Sequence, residues 1–83
     1  MGFKIKEGVL SEYNGKDKTV VIPDSVTEIG EEAFWGCSSL EKVVIPDSVT
    51  EIGIDAFCGC ESLKEIIIPD SVTEIGSWAF EDC

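Results

Sequence analysis

Ile45-Pro46-Asp47-Ser48-Val49-Thr50-Glu51-Ile52-Gly53 is the stretch on which the fold turns. The same nine residues return unchanged at Ile22 to Gly30 and at Ile68 to Gly76, 23 positions away on either side. A fixed period of roughly 20 to 50 residues is the signature of a solenoid, in which no unit buries its apolar face alone and each stacks on the next. Working outward, the units run from 20 to 42, from 43 to 65, and over an incomplete 66 to 83. Ahead of them, residues 1 to 19 form a separate lead-in.

Within the middle unit, apolar residues fall at Leu40, Val43, Ile45, Val49, Ile52, Ala56, Phe57 and Cys60. Leu-x-x-Val-x-Ile is the strand spacing of leucine-rich repeats. Val43 to Ile45 therefore reads as a short parallel strand with Val43 and Ile45 turned inward and Val44 on the open face. Its neighbours are the strands at Val20 to Ile22 and Ile66 to Ile68. Pro46 has no amide hydrogen and ends the strand, and Pro46-Asp47 turns the chain back. Val49 and Ile52 point inward from the returning segment, and Gly53 is expected to supply a backbone conformation that side chains disfavour. One helical or 3₁₀ turn over Asp55 to Cys58 is expected to close the coil and bury Ala56 with Phe57. The fold class is thus a leucine-rich repeat solenoid, mostly β with little helix. Its apolar columns are Val26/Val49/Val72, Ile29/Ile52/Ile75 and Phe34/Phe57/Phe80.

The combination of IPDSVTEIG, two variable residues, Ala-Phe, two further residues, Cys, and Leu three positions later resembles the BspA-type leucine-rich repeat. Gly8-Val9-Leu10 through Tyr13-Asn14-Gly15 to Val20-Val21-Ile22-Pro23 resembles the lead-in that often precedes such repeats. The resemblance implies a surface or secreted protein with an adhesin-like, protein-binding role, and so an extracellular or cell-surface location. No signal peptide is expected within these residues, since Gly2-Phe3-Lys4-Ile5-Lys6-Glu7 lacks the unbroken apolar stretch that secretion needs.

Eighty-three residues make one small core, covering about 60% of the surface the unfolded chain exposes. There is no run of about 18 apolar residues to span a bilayer. Seventeen acids against six bases give a net charge of −11, which repels the phosphates of nucleic acids and of anionic lipids. The imbalance is uneven. Lys4, Lys6, Lys16 and Lys18 lie in the lead-in, whereas from Thr19 onward Lys42 and Lys64 face fourteen acids. The expected partner is a protein or another copy of the chain, without nucleic acid or membrane insertion.

The two ends differ. Phe3 and Ile5 alternate with lysines, Glu7-Gly8 offers a turn, and Asn14-Gly15 is a type I′ signal between Val9 to Tyr13 and Lys16 to Ile22. A capping hairpin or three-stranded meander is expected there. At the carboxyl end no counterpart follows, so Ile75, Phe80 and Cys83 are expected to mark an open face. Either the protein continues past it or the face meets another copy. The charges of Glu74, Glu81 and Asp82 oppose a symmetric tail-to-tail contact.

Catalysis finds no support. The sequence has no histidine, and Ser25, Ser48 and Ser71 are repeated turn residues without a base to activate them. Equally spaced carboxylates share similar settings, without the contrast that separates acid from base. No cofactor is expected. The columns Asp24/Asp47/Asp70 and Glu28/Glu51/Glu74 offer one carboxylate per coil, which suits solvated turns better than calcium; the aspartates are expected to accept from amides two residues on. Cys58-Gly59-Cys60 has neither redox nor zinc spacing. Cys37, Cys60 and Cys83 keep the repeat period. Cys37 and Cys60 are expected to stack about 5 Å apart, within reach of a disulfide, with reduced thiols favoured over the bridge because stacked side chains point in parallel. Cys58 looks outward and is the expected reactive thiol. Two protein-binding candidates remain. Val21, Val44 and Ile67 form an apolar stripe along the strands beside Lys42, and Trp35 and Trp78 stand at variable positions on the outer edge, a residue type favoured at binding hot spots. The alternative is a structural, self-assembling repeat scaffold that associates through its open end.

Overall fold

Alternating burial drives the strands and proline limits them. The computed structural model describes residues 2–83 and contains eight strands and no helix among them. They are β1 (Phe3–Lys6), β2 (Val9–Tyr13), β3 (Thr19–Val21), β4 (Glu28–Ile29), β5 (Lys42–Val44), β6 (Glu51–Ile52), β7 (Glu65–Ile67) and β8 (Glu74–Ile75). Each coil contributes one strand ahead of its Ile-Pro and a second within its Thr-Glu-Ile. The first kind makes the sheet β3-β5-β7, and the second makes β1-β2-β4-β6-β8. All pairs are parallel and in register except β1 with β2, so Val20 lies beside Val43 and Val43 beside Ile66. The second sheet stands where the spacing predicts only a returning segment. Two residues are too short to show an alternation.

Between the sheets the expected columns are in place. Val26, Val49, Ile29, Ile52, Phe34 and Phe57 are buried, with Val72 and Phe80 half-buried against them. The rings of Phe34 and Phe57 stack at 4.8 Å and those of Phe57 and Phe80 at 5.4 Å, each pair 8° from parallel. Tyr13 continues the stack on Phe34 at 5.2 Å, and Phe3 leans on Tyr13 at 5.3 Å.

Four local expectations need correction. First, the segment from Asp55 to Cys60 is a staircase of β-turns, not a helical turn. Ala56, Cys58 and Cys60 donate to carbonyls three residues back, while Asp55, Phe57 and Gly59 donate to Ser77, Ala79 and Glu81 of the next coil. A helix keeps its amides within the segment; here every second one is spent on the neighbour. Second, Gly53 does not take a left-handed conformation. A Cβ there would lie 2.9 Å from the Glu31 nitrogen and the Gly30 carbonyl carbon, so the coils approach too closely for a side chain. Left-handed backbone occurs instead at Glu32, Asp55 and Trp78 (φ 57°, 58° and 57°) and at Gly36 and Gly59 (70° and 79°), one repeat apart in each set.

Third, the amino-terminal hairpin turns at Glu7-Gly8, both with positive φ (51° and 83°), as a type I′ turn requires. It joins β1 to β2 antiparallel. Asn14-Gly15 starts a crossing to the other sheet, so there is no hairpin between Val9 to Tyr13 and Lys16 to Ile22 and no three-stranded meander. Tyr13 is drawn into the core by Phe34, and its amide bonds to Ala33 at 2.9 Å, which leaves the chain heading away from β2. Fourth, the repeated aspartates hold no backbone amide among the described residues. Ser48 and Ser71 instead reach back one coil, each donating at 2.7 Å to the carbonyls of Val26 and Val49.

Candidate functional site

The strand sheet brings four of the expected residues together. In-register pairing sets Val21, Val44 and Ile67 in one row, with Thr19, Lys42 and Glu65 in the row beside it. Pleating turns Val20 and Val43 inward and this row outward. Val21 is 64% exposed and Ile67 47% exposed, with Val44 half-buried between them. Lys42 Nζ lies 3.9 Å from Glu65 Oε2, a solvent-exposed pair worth at most about 1 kcal/mol. The surface is a narrow apolar row bordered by one cation and one anion, with the geometry of a side-on protein contact.

Trp35 and Trp78 do not form one cluster. Trp78 follows the column of Glu32 and Asp55, and Trp35 that of Cys58 and Glu81. Both are largely open, at 61% and 64% exposure. Ile75, Phe80 and Cys83 share the last coil. Ile75 is exposed, Phe80 half-buried on Phe57, and the Cys83 thiol donates to the Phe57 carbonyl at 3.2 Å. Cys83 is thereby tied inward.

The four thiols are unbridged. Cys60 is fully buried and donates to the Phe34 carbonyl at 3.1 Å. Its contact with Cys37, followed by burial, pushes its pKa well up, and the same contact lowers Cys37. Cys58 is half-buried, and burial followed by the carboxylates of Asp55, Glu81 and Asp82 pushes its thiol up. These surroundings disfavour the thiolate and speak against Cys58 as the reactive thiol. On the second sheet, Glu28, Glu51 and Glu74 stand in register as a ladder. The charge of Glu28, then a hydrogen bond and charge from Glu74, raise the middle carboxyl, Glu51. No group of three or more potential metal ligands converges among the described residues.

A feature the sequence reading missed lies at the amino-terminal end. A groove of about 530 Å³ runs between Phe3, Tyr13, Lys16 and the strand residues Thr19 to Val21. Its only sequence signal was Asn14-Gly15, which read as a hairpin.

Stacked coils of one repeat, two parallel ladders and the aromatic column agree with a comparison against family models, in which the BspA type leucine-rich repeat region (6 copies) matches residues 4–83. The chain belongs to the BspA-type leucine-rich repeat family. The match takes in the lead-in as well as the three coils. Among solved structures, this BspA-type chain is similar to a leucine-rich repeat protein of T. pallidum, at 41% identity and a TM-score of 0.88 over 90% of the present chain. It is also similar to a leucine-rich repeat protein from Bacteroides ovatus, at 31% identity and a TM-score of 0.54 over 80% of the chain. It spans 37% and 23% of those two proteins. No curated protein matches it significantly. BspA-type repeats are commonly surface-associated, and leucine-rich repeat families are typically non-catalytic.

Proposed function

We propose that this chain is a non-catalytic, protein-binding module that makes contact through the open face of the β3-β5-β7 sheet, within an adhesin-like protein of the cell surface. The observation that carries this reading is the outward row Val21, Val44 and Ile67, apolar on an otherwise acidic molecule and aligned by the parallel register. Trp35 and Trp78 add exposed aromatic contact area outside that row. Three coils offer a narrow contact, so affinity rises with the number of repeats that engage together. The test is a pull-down comparing the parent with Val44→Glu and Trp35→Ala. Loss of captured partners with Val44→Glu supports the strand face. Retention of every partner by both variants refutes it.

A second reading, a repeat scaffold in which the last coil meets another copy, rests on exposed Ile68 and Ile75 beside the free edges of β7 and β8. Sedimentation equilibrium of the 83-residue chain tests it. A strict monomer at high concentration removes this reading.

A further inference from the structure

The amino-terminal end of the stack is stepped. The sheet that holds the hairpin extends two strands, β1 and β2, past the first coil, whereas the other sheet stops at β3. At a strand spacing of about 4.8 Å, the free edge of β3 therefore looks into a notch about two strands deep. This is the groove of about 530 Å³, walled by Phe3 and Tyr13 and bordered by Lys16.

The floor of the notch is unpaired backbone. Lys18 accepts from Glu41 and Lys42 at 2.7 and 2.9 Å, and Ile22 donates to Val44 at 3.1 Å. Lys18, Val20 and Ile22 thus spend their peptide groups on β5. Peptide groups alternate in direction along a strand, so those of Thr19 and Val21 point into the notch. Neither residue's amide or carbonyl has a backbone partner on that side among the described residues. An open edge of this kind is a template for another strand.

The surroundings specify the chemistry of that strand. Lys16 lines the groove and Lys18 immediately precedes the edge strand, on a chain whose net charge is −11. The acid between them, Asp17, is already engaged, accepting from the Tyr13 hydroxyl at 2.8 Å. A second copy stacked by its last coil does not fit. It would bring β7 and β8 to one level, and the hairpin already occupies the β8 side. The step admits an isolated strand.

We propose that the free edge of β3 docks an extended acidic segment of a partner protein, which adds a fourth strand to the β3-β5-β7 sheet. Apolar side chains of that segment face Phe3 and Tyr13, and alternate acidic ones lie toward Lys16 and Lys18. The main-chain bonds go to Thr19 and Val21. This edge surface is additional to the strand face and does not depend on it.

The test uses a blocked peptide of three Glu-Val pairs, titrated against the 83-residue chain by fluorescence anisotropy and followed by amide hydrogen exchange. Saturable binding is expected, with exchange at Thr19 and Val21 slowed at least about tenfold. Val21→Pro removes an amide that the fold does not use, together with one side chain of the outward row, which an edge strand tolerates, and weakens the peptide at least about tenfold at unchanged circular dichroism. Lys16→Glu with Lys18→Glu weakens it several-fold, and a peptide N-methylated at alternate residues fails to bind. Val44→Glu, which disables the strand face, leaves peptide affinity within about twofold, so the two surfaces fail separately. Absence of saturable binding at millimolar peptide overturns the proposal. So does equal binding of the N-methylated peptide, a result that stands even if Val21→Pro does not fold.

Discussion

The second and third coils carry the same nine residues, IPDSVTEIG, and the structure treats them differently. Ile52 is 2% exposed and Ile75, its image, 52%. Val49 and Phe57 are sealed, whereas Val72 and Phe80 are half-buried. Bonds that reach back one coil are nevertheless preserved: Ser71 to Val49 repeats Ser48 to Val26 at 2.7 Å, and Cys83 to Phe57 repeats Cys60 to Phe34. Only the forward half is missing. Trp78, Phe80 and Asp82, the images of Asp55, Phe57 and Gly59, have no backbone acceptor among the described residues. Identical residues in a solenoid thus differ in energetic weight according to whether they face the preceding coil or the following one.

The largest test of this difference lies in the aromatic column. Phe57→Ala, with rings on both sides, should cost about 4 kcal/mol, and Phe80→Ala, with a ring on one side, about half as much. Urea denaturation gives both values, and equal costs would refute the two-sided account. In the isoleucine column, Ile52→Ala should cost about 3 kcal/mol and Ile75→Ala less than about 1. Glycine should behave in the opposite way and sharpen the rule. Gly53 and Gly76 both face backward, where an added Cβ would meet backbone of the preceding coil at 2.9 and 2.5 Å. Gly53→Ala and Gly76→Ala should therefore each cost about 2 kcal/mol despite the difference in burial around them.

The smallest effect concerns the glutamate ladder, where only Glu51 has a carboxylate on both sides. Its pKa is raised in the folded chain, first by Glu28. The folded state then holds that proton more tightly than the unfolded state does. The resulting stabilisation is complete below the ordinary glutamate value of about 4.3 and is lost as pH rises through the raised value. The urea midpoint should rise as pH falls from 7 toward 5. Glu51→Gln should raise the midpoint at pH 7 and flatten that dependence, whereas an unchanged profile would show that the ladder is fully screened.

Periodicity made most of the fold legible. Three copies of one phrase identify the coils, and Leu-x-x-Val-x-Ile identifies the β3-β5-β7 sheet with its inward and outward residues. The same pattern placed Val21, Val44 and Ile67 in one row, because in-register stacking turns equal sequence offsets into neighbours. What escaped was decided by backbone that meets other backbone. The two-residue strands β4, β6 and β8 exist because adjacent coils supply their partners, and the staircase of turns replaces a helix because half of its amides are needed by the next coil. Asn14-Gly15 has the composition of a hairpin turn, yet stacking of Tyr13 on Phe34 takes the chain elsewhere.

The sequence by itself determined that there are stacked coils, which side chains face inward and where charge of each sign is concentrated, since these follow from period and residue type alone. Only the tertiary structure decided which copy of each repeated residue is sealed and where the cap leaves a strand edge open. Both depend on what lies one coil away, and identical local sequence carries no record of its position in the stack.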